Sequence, residues 1–159
     1  PYGESPVSTA MGAYFNKKAY TDPTLRRKYT RMGFWVNIRL IRYPDVLLMA
    51  AESANEKGLM GEASGYLEQV RAHARGTLTN VLPEVESLDQ SVLREAIRHE
   101  RRVELGLEPD RFYDLVRWGI AQEVLQAAGK NYQPKNALLP LPQTEIDKSN
   151  GVLVQNPDY

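Results

Sequence analysis

The 159-residue sequence has no cysteine, which excludes disulfides, thiolate metal sites and thiol nucleophiles but leaves the compartment open, since many exported proteins also lack it. It has no net charge either. The 20 Lys and Arg balance the 20 Asp and Glu, so no field gathers polyanions or holds the chain on an acidic membrane, and nucleic acid is not an expected partner. The longest apolar run, residues 46–51, falls far short of the roughly 20 residues that a membrane-spanning helix needs. Glycine-rich phosphate loops and Gly-x-Ser-x-Gly elbows are missing, so nucleotide and serine-nucleophile chemistry have no support. The two histidines, His73 and His99, fall on different predicted helices with no second nitrogen ligand nearby. No metal site or cofactor is expected, and both read as helix-surface residues. Pro1 replaces a starting Met and opens no basic-then-apolar leader; the expectation is a fragment or processed product with any targeting sequence upstream.

What is present suffices for one core. With 42% hydrophobic residues, a domain of this length withdraws ~70% of its unfolded surface from water. Residues 1–43 are rich in Gly, Pro, Tyr and basic side chains and read as irregular chain, with an extended stretch expected at 37–43. From Pro44 the pattern turns helical. Residues 45–57 are apolar nearly all round through Val46, Leu47, Leu48, Ala50, Ala51 and Ala54, with Gly58 as the stop, which predicts a helix buried among others. A second helix opens at Gly61, carries Ala63, Tyr66, Leu67, Val70 and Ala74 on one stripe, and ends at Gly76. The short join makes the two antiparallel, a hairpin of tetratricopeptide type without a second copy.

A third helix is expected from an Asp89 N-cap to Leu105, and a fourth from an Asp110 cap through residues 111–128 with a kink at Gly119. Residues 129–159, with four prolines, should wrap as irregular chain with a short turn at 143–147. The expected organisation is a single domain, 1–159: irregular at 1–43, a helical bundle at 44–128, an irregular tail at 129–159.

Glu100 and Glu104 fall within the apolar stripe of Leu93, Ala96, Ile97 and Leu107, so two carboxylates point toward the core. Such a pair could act as acid and base on a glycosidic bond or hold metals, given an open cleft. The structural alternative is ion pairing, with Arg101, Arg102, Arg111 and Arg117 at hand on the same two helices. Ion pairing is the preferred reading, and no residue is assigned as catalytic. The nine Tyr, three Phe and two Trp include Tyr14, Phe15, Tyr20, Tyr29, Phe34 and Trp35 in the irregular N-terminal part. Exposed rings on loops can stack on sugars. Trp35 and Tyr14 are the ligand-binding candidates on residue type alone, and Trp118 reads as packing.

Several blocks carry a family resemblance. Ile41-Arg42-Tyr43-Pro44-Asp45-Val46-Leu47-Leu48-Met49-Ala50-Ala51-Glu52 resembles the I-R-Y-x-D-x-L-L-x-x-A-E signature of the SusD/RagB family. Gln69-Val70-Arg71 is similar to the end of that family's next helix. Ile97-Arg98-His99-Glu100-Arg101-Arg102-Val103-Glu104-Leu105, with Arg111-Phe112-Tyr113-Asp114-Leu115-Val116-Arg117-Trp118-Gly119, resembles its most recognisable block. Leu139-Pro140-Leu141-Pro142 and Gln155-Asn156-Pro157 before Tyr159 are similar to the family's ending. Pro109 and Asp110 depart from a usual Gly after Glu108, and Asp158 from a usual Gly before the last Tyr.

The resemblance marks Arg42, Tyr43, Asp45, Glu52, Glu100, Arg101, Glu104, Arg111, Asp114, Arg117 and Trp118 as scaffold-motif residues. It implies a helical protein built on tetratricopeptide-like pairs, and the residues read as a mostly α fold: a tetratricopeptide-like hairpin plus a second helix pair, with an irregular, strand-containing N-terminal segment and a Pro-rich C-terminal wrap. Family members are several hundred residues long, so this chain is similar to their C-terminal part. The implied function is non-catalytic capture of oligosaccharides at the cell surface of Bacteroidetes. The sugar would pass to a TonB-dependent, SusC-like outer-membrane transporter, and the anchor would be an N-terminal lipid outside these residues. A protein-interaction scaffold and a glycoside-active enzyme using Glu100 and Glu104 remain as alternatives.

Overall fold

The computed structural model describes residues 16, 18, 37, 39–86 and 89–159. They form six α-helices and no strand, in two compact units, one ending at Leu107 and the other Glu108–Tyr159.

The described residues of the first unit form a three-helix assembly. Helix α1, Tyr43–Glu56, starts with Pro44 in its first turn, where a missing N–H costs nothing, and with Asp45 favourably placed at the positive end of the helix dipole. This proline turn draws Tyr43 into the helix, and residues 37 and 39–42 of the expected extended stretch form no strand. At its end Gly58 takes φ +78°. Its N–H reaches Asn55 O at 3.0 Å while Leu59 N–H reaches Ala54 O at 2.9 Å, which closes the helix in a Schellman turn. Helix α2, Met60–Arg75, follows at once and must run back along α1. Helix α3 is Gln90–Glu104, and Asp89 caps it as expected, its carboxylate accepting from Ser91 N (2.9 Å) and Val92 N (3.0 Å).

Leu47, Leu48, Ala51 and Ala54 of α1, Ala63, Leu67 and Val70 of α2, and Leu93 and Ile97 of α3 make one buried cluster. Ala51 and Ala63 are both fully buried, so small side chains occupy the zone where the hairpin helices approach closely. Leu48, Leu67, Leu93 and Ile97 are the large side chains removed from water, each worth ~1.5–3 kcal/mol of transfer free energy. The all-round burial expected of α1 does not hold among the described residues. Val46 and Met49 on its opposite face are exposed, as are Ala74 of α2 and Leu107 beyond α3.

In the second unit the expected fourth helix is two. Helix α4, Asp110–Arg117, is capped by Pro109 rather than by Asp110, which becomes its first residue; helix α5 is Ala121–Ala127. The break is a complete Schellman turn rather than a kink. Gly119 sits at φ +71°, its N–H bonds Val116 O (3.0 Å), and Ile120 N–H bonds Leu115 O (3.0 Å). Leu115, Ala121 and Tyr132 form a second buried cluster, lined by Phe112, Val116, Ile120, Val124 and Leu125.

The tail has a 3-10 turn at Pro134–Ala137 and a helix α6 at Gln143–Lys148, which contains the expected turn. Irregular chain here satisfies its polar groups through side chains. Gln155 pairs both ways with Leu141 (2.8 and 2.9 Å), Asn156 Nδ2 donates to Leu139 O (2.6 Å), and the Tyr159 hydroxyl donates to Leu138 O (3.0 Å).

Candidate functional site

The two inward carboxylates of α3 are both in ion pairs, with partners other than those the helix itself offered. Glu100, 3% exposed, accepts from Arg71 Nη1 of α2 at 2.8 Å. Glu104, on the next turn, accepts from Arg42 Nη1 at 2.8 Å, while Arg42 Nη2 and Lys18 Nζ both donate to its main-chain oxygen. Arg101, expected to serve a neighbouring glutamate, instead reaches Asp45 of α1 at 2.8 Å, with its own side chain 5% exposed. Arg102 is exposed and Arg117 pairs on its own helix.

These contacts form a row along α1 and α3. Arg42 with Glu104 and Asp45 with Arg101 hold the start of α1 to the end of α3. At the other end Asn55 and Gln90 exchange two hydrogen bonds (3.1 and 2.7 Å), so the two helices are antiparallel. Glu56 completes the row with a two-pronged contact to Arg94 (2.6 and 2.7 Å). The Arg94 hydrogen bond holds the Glu56 carboxyl below its usual range, and Glu56 raises Arg94 in return. Arg71 also donates to Pro83 O (2.7 Å) and Arg75 to Leu82 O (2.6 Å), which ties the connection between α2 and α3 to the end of α2. The Glu68 side chain, 2.8 Å from Arg75, raises the Arg75 pKa.

The motif residues of the second unit gather on α4. Asp114, 4% exposed, accepts at one oxygen from Arg117 Nε (3.0 Å) and Nη2 (2.9 Å). The guanidinium groups of Arg117 and Arg111 lie 4.9 and 5.8 Å from the Trp118 ring centroid, in cation–π range. Trp118 is half-buried at the C-terminal end of α4. At the chain's end Asp158 adopts φ +68°, a conformation that glycine takes without strain. Lys135 donates to its carbonyl at 2.8 Å and lies 4.9 Å from the Tyr159 ring.

Among the described residues no group of three or more His, Cys, Asp or Glu could hold a metal ion, and no helix is long and apolar enough to cross a membrane. His73 and His99 are both exposed. Glu52 of the motif is half-buried on α1 and Tyr43 is 69% exposed at its start. Trp35 and Tyr14 lie outside the described residues.

Sequence reasoning missed two things. One is the role of Arg71 and Arg42, whose signal was their place at the ends of apolar stripes rather than proximity in sequence to the glutamates. The other is Tyr113, whose ring stands out from α4 while its neighbour Phe112 packs inward.

The relatives are consistent with this geometry. The chain is 40% identical over 153 residues to SusD-like protein P25 of Formosa agariphila, covering 92% of this chain and 27% of that protein. It is 37% identical over 128 residues to SusD-like protein P2 of the same organism, covering 75% and 25% respectively. The chain thus spans about a quarter of the length of these curated relatives. Among solved structures it is similar to the crystal structure of a SusD homolog from Bacteroides thetaiotaomicron, with a TM-score of 0.68 and 29% identity, over 84% of this chain and 30% of that one. The SusD family profile matches residues 1–159, and the pairs Arg42–Glu104, Asp45–Arg101 and Arg71–Glu100 fall on residues that carry the sequence resemblance. The chain belongs to the SusD family.

Proposed function

We propose that this chain is part of a cell-surface protein that captures oligosaccharides without cleaving them and delivers them to a SusC-like, TonB-dependent transporter in the outer membrane. Family membership across residues 1–159 is the observation that carries the reading. The whole protein would be held to the membrane by an N-terminal lipid outside these residues. The scaffold role of Arg42, Tyr43, Asp45, Glu52, Glu100, Arg101, Glu104, Arg111, Asp114, Arg117 and Trp118 belongs to the same proposal.

The state of the carboxylates supports capture over hydrolysis. A glycosidase needs one carboxyl free to protonate the leaving oxygen and a second facing the sugar across a cleft. Glu100 is buried against Arg71 and Glu104 is held by Arg42. With a guanidinium on each carboxylate at 2.8 Å, neither is free to act on a glycosidic oxygen.

The test is incubation of the protein with neutral and acidic oligosaccharides, followed by ligand-observed NMR. Saturation transfer to intact sugar is the expected result, and new reducing-end signals would refute the non-catalytic reading. Delivery is tested by co-purification of the full-length lipoprotein with its transporter from detergent-solubilised outer membranes.

A further inference from the structure

Of the asparagines in the chain, Asn150 alone is followed by glycine. The fold also leaves it loose where it engages others. Asn55 is buried against Gln90, and Asn136 accepts from Gln133 N and donates to the Tyr159 hydroxyl. Asn156 donates to Leu139 O and precedes a proline, which has no N–H. Asn150 is exposed just beyond helix α6, and among the described residues no hydrogen bond holds its side chain or the Gly151 N–H.

The two residues form the corner of a tight turn. Asn150 has φ +52° and Gly151 φ +85°, and the Val152 N–H closes the turn on Ser149 O at 3.2 Å. Two successive positive φ values with this bond make a type I′ turn, for which Asn-Gly is a favoured pair. The type II′ turn keeps φ positive at the first corner and reverses it at the second. A flip of the peptide plane between Asn150 and Gly151 therefore converts one into the other and leaves the flanking residues in place. Glycine takes either sign of φ, and a Cβ built at Gly151 would meet no atom within 4 Å, so the corner has open space around it. In the II′ form the Gly151 nitrogen faces the side-chain carbonyl carbon of Asn150.

We propose that Asn150 is a self-modification site, an inference independent of the capture reading. Hydroxide removes the Gly151 amide proton, the nitrogen attacks Asn150 Cγ, and the Cγ–Nδ2 bond breaks. Nδ2 takes a proton from water and leaves as ammonia, which regenerates the hydroxide and closes a five-membered imide. Water then opens either carbonyl of that ring. Cleavage at Cγ gives aspartate. Cleavage at the main-chain carbonyl gives isoaspartate, which routes the backbone through Cβ and Cγ and lengthens it by one atom. Both products add a negative charge to a chain with none net. The contacts beyond the corner depend on its length: Leu153 N–H donates to Ser149 Oγ (2.9 Å), and Gln155 pairs both ways with Leu141 (2.8 and 2.9 Å). The extra backbone atom loosens residues 152–156 from 139–141.

The experiment holds the folded protein in warm, mildly alkaline buffer for several weeks and digests samples with trypsin in mildly acidic buffer. Cleavage after Lys148 releases residues 149–159 for mass spectrometry. The expected result is a gain of one mass unit confined to Asn150, resolved into aspartate and isoaspartate forms. Gly151→Ala should slow the gain roughly tenfold, equivalent to ~1.4 kcal/mol in the barrier. Asn150→Gln, which keeps the glycine but would need a six-membered ring, should slow it at least as much. The Leu141 amide should exchange with solvent faster in the isoaspartate form. No gain in folded wild type would overturn the site, and a gain in the urea-unfolded chain alone would mean that the turn protects the pair. Equal rates in wild type and both variants would overturn it as well, and unchanged Leu141 exchange in the isoaspartate form would overturn the loosening.

Discussion

Glu100 and Arg71, 29 residues apart in sequence, meet at 2.8 Å with hardly any water on either side chain. Their pairing joins α3 to α2 at the polar edge of a core that is otherwise aliphatic. Charges withdrawn from water this far are tolerable only together.

Glu100→Gln should therefore destabilise the protein by about 3 kcal/mol, the order expected when one partner of a buried pair is removed. Glu104→Gln, at a more exposed site that keeps its main-chain contacts to Arg42, should cost about 1 kcal/mol. Urea unfolding measures both. Unchanged midpoints with loss of sugar turnover would instead make these residues catalytic.

Gly119→Ala tests the stop between α4 and α5. A Cβ at this position would meet no atom within 4 Å, so the whole cost is the left-handed backbone at φ +71°. A loss of about 1–2 kcal/mol is expected, with sugar binding unchanged.

Asp158→Gly should have the opposite sign. The residue holds φ +68°, and its contact to Lys135 uses the backbone carbonyl, which glycine also supplies. Relief of strain, partly offset by the greater freedom of glycine in the unfolded chain, predicts a gain of about 0.5 kcal/mol. A fall in the thermal midpoint would mean that the carboxylate itself holds the tail.

Acid should weaken the first unit through Asp89 and Glu56. The Ser91 hydroxyl and the Val92 and Ser91 amides lower the Asp89 pKa, and Arg94 lowers that of Glu56. A carboxyl whose folded pKa lies below its unfolded one contributes stability above the unfolded value and loses it as pH falls through the folded one. Urea midpoints should therefore stay level from neutral pH to the usual carboxylate range and fall below it. Asp89→Asn keeps a capping oxygen without the titration, so combined with Glu56→Gln it should flatten that fall.

Much of this was legible in the chain because the signals are local. Pro44, Asp89 and Gly58 act on the turn in which they sit, and the helices they bound lie within a residue or two of expectation. Gly119 was noticed and under-read: a glycine inside an apolar pattern is ambiguous until its φ is known, and a positive φ ends the helix outright. The inward face of α3 was also readable, down to its two glutamates. Their partners were not, because helical spacing says which way a side chain points but not which distant residue waits there. Arg71 and Arg42 lie on other elements, and only folding brings them to Glu100 and Glu104. Tyr113 was hidden differently, since a tyrosine beside a phenylalanine in an amphipathic helix has the same pattern whether it plugs a core or faces water.

The paired rows on α1 and α3 also constrain how the chain can change over generations. Arg42 and Asp45 are matched to Glu104 and Arg101, three positions apart on each helix. A residue inserted between either pair would swing one charge about 100° around its axis, away from its counter-ion. Length variation is thus barred from these two helical stretches, while the connection at residues 76–89 can grow or shrink as long as a carbonyl remains within reach of Arg71 and Arg75.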